Sequence, residues 1–443
     1  MVGMAGMSPV RLLKLGEGLT ISFAADELSV FFMCITTLIW VLVGIYAIAY
    51  MKHEGRAGSF FVIYLLLYGV LLALDCSANL VTMYACYELM TLVSMLLVAH
   101  NRSREAIMAT LKYLFYSLCG AYLGLFGIFY LNRYCVDLEF GTAGRLDMSA
   151  LAGHEKELLV VVFLMLIGFG TKAGMFPLHG WLPAAHPVAP SPASAALSAI
   201  IVKSGVLATI RMVYNIVGAD FLRGTWVQTA WMSLTLLTVF MGSMLAFREP
   251  VVKKRFAYST VSQVSYILFG LSLLQEQAFT GSLLHIYFHA IIKCGLFLCA
   301  GVFLVVCNRR RVDELYGIGR KMPVMMWCYT CFALALVGIP PTSGFVSKWQ
   351  LAVGALDTNV GFFSWFGPVV LLLSALLTAG YLLPVTMRGF FPGDDDRCTE
   401  LAKKEPPHLM LIPLIVLAAL AVLLGVFPNG LLSVCRKLAG LWL

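Results

Sequence analysis

The sequence predicts an all-α membrane protein that crosses the bilayer about twelve times. Of its 443 residues, 60% are hydrophobic and only 12% are charged, and the mean hydropathy is +0.88. Soluble domains carry roughly a quarter charged residues. Apolar runs of roughly 20 residues recur along the whole chain, and each is long enough to cross a hydrocarbon core of about 30 Å. The short alternating segments typical of a membrane β-barrel are absent from the sequence.

The composition excludes several other classes of function. The net charge of +8 is spread over short loops, which does not fit nucleic-acid binding. The sequence has no P-loop, dinucleotide fingerprint or nucleophile elbow. Cys328 and Cys331 form a CxxC pair inside an apolar run without partner histidines, so we interpret them as small buried hydrophobes. We therefore expect neither a metal site nor a bound cofactor.

Two of the predicted crossings are interrupted. The twelve predicted crossings are 29–50, 59–77, 80–99, 106–131, 158–176, 193–215, 227–247, 256–274, 279–306, 323–356, 364–388 and 408–434. The fifth runs into a proline-rich stretch that starts at Pro177, and the tenth contains Pro340 and Pro341 within a Gly338–Gly344 break. Proline removes a helix hydrogen bond, and broken backbone at membrane depth persists only where protein buries it or where it lines a cavity.

The two breaks suggest an internal repeat. Residues 59–215 and 227–388 each contain five crossings, and the fourth crossing of each group is broken and carries a lysine, Lys172 or Lys348. Because five is odd, consecutive groups insert with opposite topology, which is typical of transporters. Residues 1–58, an N-terminal segment with the first helix, and 389–443, a loop with the last helix, flank the two repeats.

Positive charges are distributed unequally between the two faces. Loops after the first, third, seventh, ninth and eleventh crossings hold 17 of the 31 Lys and Arg, whereas the opposite face with both termini holds nine. The positive-inside rule then predicts that the richer face is cytoplasmic and that both termini lie on the outer side of the membrane. The membrane is expected to be the cell membrane, or the inner membrane in a cell that has two.

The remaining five lysines and one glutamate lie inside apolar runs, where charged side chains are costly and usually functional. They are Glu88, Lys112, Lys172, Lys203, Lys293 and Lys348. A stable Glu88 needs a cationic partner, for which Lys172 is the candidate; the pair either relays protons or only fixes helix packing. Lys203 is too deep for snorkelling, whereas Lys112, about two turns from a helix start, could snorkel.

The ninth crossing carries a titratable stripe. His285, His289 and Lys293 follow an i, i+4, i+8 spacing and share one helix face. Imidazole exchanges protons near neutral pH, so the stripe predicts a proton relay rather than a zinc site. Lys348 follows the second break, where water could reach it. His179 and His186 lie in the first proline-rich break, where they link the relay to solvent or only hydrogen-bond within the loop.

These motifs resemble the antiporter-like membrane subunits shared by respiratory complex I, Mrp-type Na⁺/H⁺ antiporters and membrane-bound energy-converting hydrogenases. The resemblance covers about residues 26–430. It is carried by Lys172-Ala-Gly-Met-Phe-Pro-Leu-His-Gly-Trp-Leu-Pro-Ala-Ala-His186, Ala189-Pro-Ser-Pro-Ala-Ser194 with Lys203, His285-xxx-His289-xxx-Lys293, and Gly338-Ile-Pro-Pro-Thr-Ser-Gly-Phe345 with Lys348.

The resemblance implies an order for the charges. Glu88 and Lys172 match the family's input ion pair, Lys203 its central lysine, and Lys348 its terminal exchange lysine. His285, His289 and Lys293 match the connecting relay, with a half-channel to each side of the membrane. The family usually has fourteen core helices, so the resemblance implies that this chain starts at the third, at Asp26 to Met33. A lysine rather than a glutamate at 348 favours the smaller complex I paralogue, the Mrp subunit or a hydrogenase subunit, without separating them.

We therefore predict a proton-translocating subunit, with Na⁺/H⁺ exchange as a variant, that has no redox centre of its own. Its expected partners are antiporter-like paralogues and a redox module in an oxidoreductase, or the other subunits of a cation antiporter. Two alternatives stay open: a stand-alone secondary transporter of a small solute, and a structural membrane scaffold whose charges only hold helices together.

Overall fold

The computed structural model describes residues 9–16, 19–142 and 144–443 of the chain. The described chain begins with an antiparallel hairpin of β1 (Val10–Gly16) and β2 (Leu19–Phe23), which was not among the predicted elements. Helix α1 (Glu27–Glu54) follows, and the Asp26 carboxylate caps it by accepting from the Ser29 amide at 2.8 Å.

The first half of the chain then forms eight helices of unequal length. They are α2 (Ala57–Asp75), α3 (Leu80–Val98), α4 (Arg104–Tyr134), α5 (Met148–Leu151), α6 (Glu155–Ala173), α7 (Leu182–Val188), α8 (Ser191–Val217) and α9 (Ala219–Leu222). Two stretches of α8, Leu197–Ile201 and Arg211–Val217, are wound as π-helix.

The second half forms nine helices and a 3₁₀ turn at Val312–Leu315. The helices are α10 (Trp226–Arg248), α11 (Val252–Ser272), α12 (Glu276–Cys307), α13 (Ile318–Lys321), α14 (Pro323–Val337), α15 (Ser343–Asp357), α16 (Phe362–Phe390), α17 (His408–Val426) and α18 (Asn429–Ala439).

The all-α multi-span fold is confirmed, and every predicted crossing coincides with helix. Over the described residues, nine helices are both long enough and apolar enough to cross a membrane. The other three predicted crossings coincide with α6, α11 and the pair α14 and α15. Helix α6 carries four charged residues, α11 is rich in serine and threonine, and the break shortens α14. The total of twelve crossings and the division into two inverted repeats stay predictions.

Two predicted crossings extend well past the end of their helix. The fifth crossing ends at Ala173, because Gly174 adopts a φ of 80° that terminates α6. The last crossing ends at Val426 rather than at residue 434, because Pro428 precedes a separate helix, α18. Helix α18 is amphipathic: Cys435 is buried in it whereas Lys437 is exposed.

Both predicted interruptions are present, at residues 174–181 between α6 and α7 and at 338–342 between α14 and α15. Each begins at a glycine in the left-handed region, Gly174 at φ 80° and Gly338 at φ 90°. Pro177 lies in the first break, and Pro340 and Pro341 lie in the second. The two breaks are therefore built in the same way, by a glycine that ends one helix and prolines that delay the next.

Helix α12 lies at the centre of the molecule, and 83% of the residues in its apolar stretch are buried. Two glycines let it approach α15 closely. A Cβ added to Gly281 would lie 2.8 Å from the Leu351 amide nitrogen, and one added to Gly354 would lie 2.5 Å from the Ala278 nitrogen. Close helix approach of this kind is typical of membrane proteins. It brings the residues that follow the second break against the central helix.

One buried charge was misplaced by the sequence analysis. Arg211 is one of the nine Lys and Arg that we assigned to the face with the termini, but it lies inside α8 and is only 2% exposed. Its guanidinium donates to both carboxylate oxygens of Asp26, at 2.5 and 2.8 Å. Burial raises the pKa of Asp26, but the charge of Arg211 and hydrogen bonds from Arg211 and Ser29 outweigh it and hold that pKa at about 2. The pair fastens the start of α1 to α8.

We expect Asp26→Asn to lower the free energy of unfolding by about 2 kcal/mol, since it leaves a buried guanidinium without its counter-charge. Fully buried pairs lose about 3–5 kcal/mol, but Asp26 is partly exposed. Because the folded pKa lies below the ordinary value, the contribution is complete above about pH 5 and is lost as the pH falls from about 4 towards 2. Thermal melting of the detergent-solubilised protein at several pH values measures both effects.

Glu27→Gln is the matched control, because the neighbouring carboxylate pairs with Lys437, whose side chain is 66% exposed. Exposed pairs contribute about 0–1 kcal/mol. Equal melting temperatures for the two variants would show that the Asp26–Arg211 pair does not stabilise the fold.

Candidate functional site

The titratable stripe of α12 is fully enclosed by protein. His285, His289 and Lys293 lie on one helix face, as predicted, and each is at most 2% exposed. The two imidazole rings have centroids 5.9 Å apart. Side chains at i and i+4 stack along the helix axis, so the stripe extends over two turns of the central helix.

Lys203 reaches this stripe from α8. Its Nζ lies 2.6 Å from Nδ1 of His289 and donates to the Ser198 carbonyl, also at 2.6 Å. Ser198 lies in the first π-helical stretch, where the irregular winding leaves carbonyls available to side chains. The contact between Lys203 and His289 joins the first half of the chain to the second.

Lys348 lies at the other end of the stripe, one turn after the second break. Its Nζ donates to the carbonyls of Leu336 at 2.6 Å and Val337 at 3.0 Å, the last residues of α14. The neighbouring residue of α15, Ser347, lies with its hydroxyl 2.9 Å from Nδ1 of His285. The break therefore provides the acceptors for the lysine and places a hydroxyl against the stripe.

Helix α11 contributes a second polar stripe that the sequence analysis missed. Thr260 Oγ1 lies 2.7 Å from Ser198 Oγ. Tyr266 stacks on His285 with centroids 5.7 Å apart, and Lys348 Nζ lies 5.1 Å from the centre of the Tyr266 ring. Between them, Gln263 is fully buried with neither amide atom bonded within the described residues.

The signal for this stripe was in the sequence, because residues 258–266 read Tyr-Ser-Thr-Val-Ser-Gln-Val-Ser-Tyr inside a predicted crossing. The stripe also includes a backbone group: the carbonyl of Phe256 accepts from Lys293 Nζ at 3.1 Å. Helices α11 and α12 run antiparallel here, so residues 256 to 266 face residues 293 to 285. Polar groups of both helices thus belong to one row, which we call the enclosed line. It includes Lys348, Tyr266, His285, His289, Lys203 and Lys293.

Lys172 is held differently, by hydroxyl groups. Its Nζ donates to Thr91 at 2.8 Å, Tyr113 at 2.8 Å and Ser117 at 3.1 Å. The ammonium also lies 4.5 Å from the centre of the Tyr113 ring, within cation–π distance. Sequence reasoning did not find these partners, because they come from two other helices, α3 and α4.

Glu88 and Lys172, which we predicted to be partners, are not in direct contact. Hydroxyls occupy the donors of Lys172, and Oε1 of Glu88 is buried without a hydrogen-bond partner in the described part of the chain. Glu88 lies on the lateral side of α3, beside Ala85 and Leu89, which are exposed. The carboxylate therefore stands between the lysine and the outer surface of the helix bundle.

The three accessory candidates lie in two places: the Lys112 side chain reaches the first break, where His179 lies, and His186 lies in α7. Lys112 is exposed on the lateral face of α4, with its Nζ 5.9 Å from the centre of the Tyr116 ring. His179 is half-buried in the first break. His186 lies in α7, is fully buried, and stacks on Phe297 with centroids 4.5 Å apart. Lys112 is therefore not part of the enclosed line, and His186 approaches it from α7.

Within residues 9–16, 19–142 and 144–443, no three His, Cys, Asp or Glu side chains are grouped so that they could hold a metal ion. What the arrangement does offer is a row of groups that can hold and pass protons: lysine amines, imidazoles, hydroxyls and one amide. Lys348 Nζ lies against the Tyr266 ring and Tyr266 stacks on His285. The His285 and His289 rings are 5.9 Å apart, and Nδ1 of His289 lies 2.6 Å from Lys203 Nζ.

Two segments of the chain match known protein families. Residues 77–378 match the family described as "NADH:quinone oxidoreductase/Mrp antiporter, TM". Residues 15–61 match the family described as "NADH-Ubiquinone oxidoreductase (complex I), chain 5 N-terminus". Together the two matches cover both broken helices and the whole enclosed line.

Individual relatives come from three kinds of complex. The chain is 32% identical to NADH-quinone oxidoreductase subunit N of Desulforudis audaxviator, over 89% of this chain and 81% of that protein. It is 30% identical to hydrogenase-4 component B of Escherichia coli, over 92% of this chain and 62% of that protein. It is 28% identical to a Na⁺/H⁺ antiporter subunit of Bacillus subtilis, over 91% of this chain and 80% of that protein.

Solved structures have the same fold. A chain of the Mrp complex from Dietzia sp. superposes with a TM-score of 0.84 at 21% identity, covering 98% of this chain and 87% of that chain. A chain of respiratory complex I from Thermus thermophilus superposes with a TM-score of 0.80 at 22% identity, covering 98% and 89%. With the family match over residues 77–378, these findings show that the chain belongs to the antiporter-like membrane subunit family of NADH:quinone oxidoreductases, Mrp antiporters and related hydrogenases.

Proposed function

We propose that this chain is a proton-translocating subunit of a multisubunit membrane complex. The observation that carries the proposal is the continuous enclosed line from Lys348, past Tyr266 and His285, to His289 and Lys203. Intramembrane ionisable groups mark ion pathways because their burial is costly. Here their positions form one connected row.

The step at the centre is chemically simple. The 2.6 Å separation between Lys203 Nζ and His289 Nδ1 allows a proton to pass between the amine and the imidazole. His289 and His285 each have an Nε2 that is buried without a partner in the described chain, so a water molecule can connect the two rings. Imidazole takes a proton on one nitrogen and releases it from the other, which suits it to a relay.

Lys172 and Glu88 would control the proton transfer between Lys203 and His289. Lys172 is close enough to Glu88 for their charges to interact, although the two groups do not touch. A movement of either side chain could make or break the direct pair and so change the charge that the central lysine experiences. This is the input role that the family resemblance implies for Glu88 and Lys172.

The lateral surface supports assembly with other membrane subunits. The exposed residues of the second break and the turn after it are Ile339, Pro340, Pro341, Phe345 and Trp349, and Pro177 is exposed in the first break. Irregular backbone is not tolerated against lipid, so both surfaces need a protein cover. We infer that other subunits, antiporter-like paralogues or a redox module, provide this cover and the driving reaction.

The driving reaction would be electron transfer in a partner subunit or exchange of protons against sodium. This assigns the chain to an oxidoreductase or to a cation antiporter as a subunit that does no redox chemistry itself. The relatives named above are subunits of such assemblies, which favours this proposal over a stand-alone transporter or a scaffold. With Arg211 buried, the face that carries the termini retains eight Lys and Arg against 17, which supports termini outside the cell membrane.

We expect Lys203→Ala to reduce proton translocation by about 10²-fold or more, the size of a lost acid–base group, while the complex still assembles. The measurement is acidification of inverted membrane vesicles that hold the native complex, energised by its own driving reaction. Lys437→Ala is the control, since that lysine is exposed and its pair with Glu27 is at the surface. Unchanged pumping by assembled Lys203→Ala would contradict the proposal, and failed assembly would favour the scaffold alternative.

Gln263 gives a test that separates transport from stability. Its amide is buried without partners among the residues described, so Gln263→Leu removes an unsatisfied group and should not destabilise the fold. It also removes the polar group between Thr260 and Tyr266, so we expect slower proton translocation. Vesicle acidification and thermal melting are measured on the same preparations.

Gln228→Leu is the matched substitution. Gln228 is equally buried, but its amide donates to Ser272 and accepts from Gly224. Its loss should cost about 1–3 kcal/mol of stability and leave the transport rate of the assembled protein unchanged. If Gln263→Leu lowers stability and leaves the transport rate unchanged, while Gln228→Leu slows transport, Gln263 is not part of the relay.

A further inference from the structure

The turn at the second break is held rigid by its own residues. The backbone amide and the hydroxyl of Thr342 both donate to the Ile339 carbonyl, at 3.0 and 2.7 Å. Pro340 and Pro341 lie between these two residues, and a proline ring fixes φ. The turn therefore moves as one unit, and whatever packs against that unit decides where α15 begins.

Two glycines bring neighbouring helices into backbone contact with this turn and with the residues that follow it. A Cβ added to Gly344 would overlap the Ala335 carbonyl oxygen of α14. A Cβ added to Gly425 of α17 would overlap the peptide group that joins Thr342 to Ser343. Helices α14 and α17 therefore both hold the start of α15, and neither contact has room for one more carbon atom.

The position of the start of α15 decides the geometry at one end of the enclosed line. Lys348 lies in the second turn of α15, and its ammonium group donates to the last two carbonyls of α14. Ser347 lies with its hydroxyl 2.9 Å from Nδ1 of His285. The later turns of α15 are fixed against α12 at Gly354. A displacement of the first turn therefore moves Lys348 relative to α14 and Ser347 relative to α12.

The presence of glycine at 425 is not explained by the helix that contains it. Gly425 is the penultimate residue of α17, where alanine would favour the helix more than glycine does. Ala418 and Ala421 lie on the same face of α17, at helical spacing from Gly425, and both are buried. The close approach of α17 to the second break is therefore what requires glycine at this position.

We propose that Gly425 is a positioning residue for proton transfer through Lys348. It lies outside the enclosed line, in a stretch, 409–426, that contains no titratable side chain. The bare backbone of Gly425 supports the turn, and so holds Lys348 on its two carbonyls and Ser347 on His285. The inference rests on the proposed function and adds the residue that sets the geometry of the last lysine of the line.

The size of the overlap decides between tolerance and displacement. Ordinary contacts of a Cβ begin at about 3.4 Å, so an alanine at 425 must separate α17 from the turn by about 1 Å. Backbone atoms cannot rotate away as the end of a flexible side chain can. A misplacement of about 1 Å can slow a reaction by about 10²-fold, even when the substituted residue is far from the reacting groups.

Gly425→Ala tests the proposal in the native complex. We expect the assembled variant to translocate protons about tenfold or more slowly than the wild type in inverted vesicles. Gly69→Ala is the matched control, because Gly69 also lies inside an apolar helix and no atom lies within 4 Å of the added Cβ. If assembled Gly425→Ala pumps at the wild-type rate, the exposed end of α17 yields instead of the turn, and the proposal is overturned.

The pH profile of translocation separates positioning from a loss of folded protein. The titratable groups that face Lys348 are Tyr266 from α11 and His285, His289 and Lys293 from α12. A changed distance between Lys348 and these groups shifts the pH at which translocation is fastest. Fewer assembled complexes lower the rate by the same factor at every pH. A lowered rate with an unshifted profile would therefore leave Gly425 a structural role only.

Thr342→Val covers the case in which Gly425→Ala does not assemble. Valine keeps the shape of the side chain and removes the hydroxyl that donates to Ile339, so the turn is loosened without added volume. We expect slower translocation with a shifted pH profile, and Thr342→Ser, which keeps the hydroxyl, should restore both. A wild-type rate and profile in Thr342→Val would show that the turn does not control Lys348, which would also overturn the proposal.

Lys203→Ala, measured on the same preparations, separates this inference from the proposed function. If Lys203→Ala abolishes translocation while an assembled Gly425→Ala complex pumps at the wild-type rate, Gly425 does not position Lys348 although the proposed function stands. If both variants pump normally, the proposed function fails as well.

Discussion

The interior of this protein depends on hydrogen bonds from lysine ammonium groups to backbone carbonyls. Lys203 donates to Ser198, Lys293 to Phe256, and Lys348 to Leu336 and Val337. In a regular helix most carbonyls accept from the helix itself, as in α11 around Phe256. The π-helical stretch in α8 and the break after α14 release the acceptors of Lys203 and Lys348, so at these two lysines irregular backbone and charge satisfy each other.

The same principle relates the two broken helices. Lys172 lies in the last turn of α6, and Lys348, although it belongs to α15, places its ammonium on the final carbonyls of α14. Each lysine is thus associated with a helix C-terminus, Lys172 through its backbone position and Lys348 through its ammonium group, which lies where the partial negative charge favours a cation. In each case a glycine in the left-handed region ends that helix. This correspondence supports the division into two related halves, which the pattern of crossings in the sequence suggested.

Sequence reasoning succeeded where function followed from local spacing. The His285, His289 and Lys293 stripe and both breaks needed only helical periodicity and the positions of glycine and proline. It failed where partners come from distant segments: the hydroxyls around Lys172 belong to α3 and α4, and Arg211 finds its carboxylate 185 residues earlier in the chain. The hydroxyls that bind Lys172 in place of a direct contact with Glu88 could not be located from spacing for the same reason.

The kind of hydrogen-bond partner also decides which protonation states a lysine can adopt without leaving an N–H donor or a lone pair unpaired. Carbonyls only accept, so the pair of carbonyls at Lys348 satisfies the ammonium form and offers nothing to a neutral amine's lone pair. Hydroxyls both donate and accept, so the three around Lys172 can rotate to serve either form. Lys203 has one carbonyl and one imidazole, and the imidazole donates when Lys203 is neutral and accepts when it is charged. The protonation of Lys203 is therefore coupled to that of His289, and the lysine at the junction of the two halves is the one whose partner must change state with it.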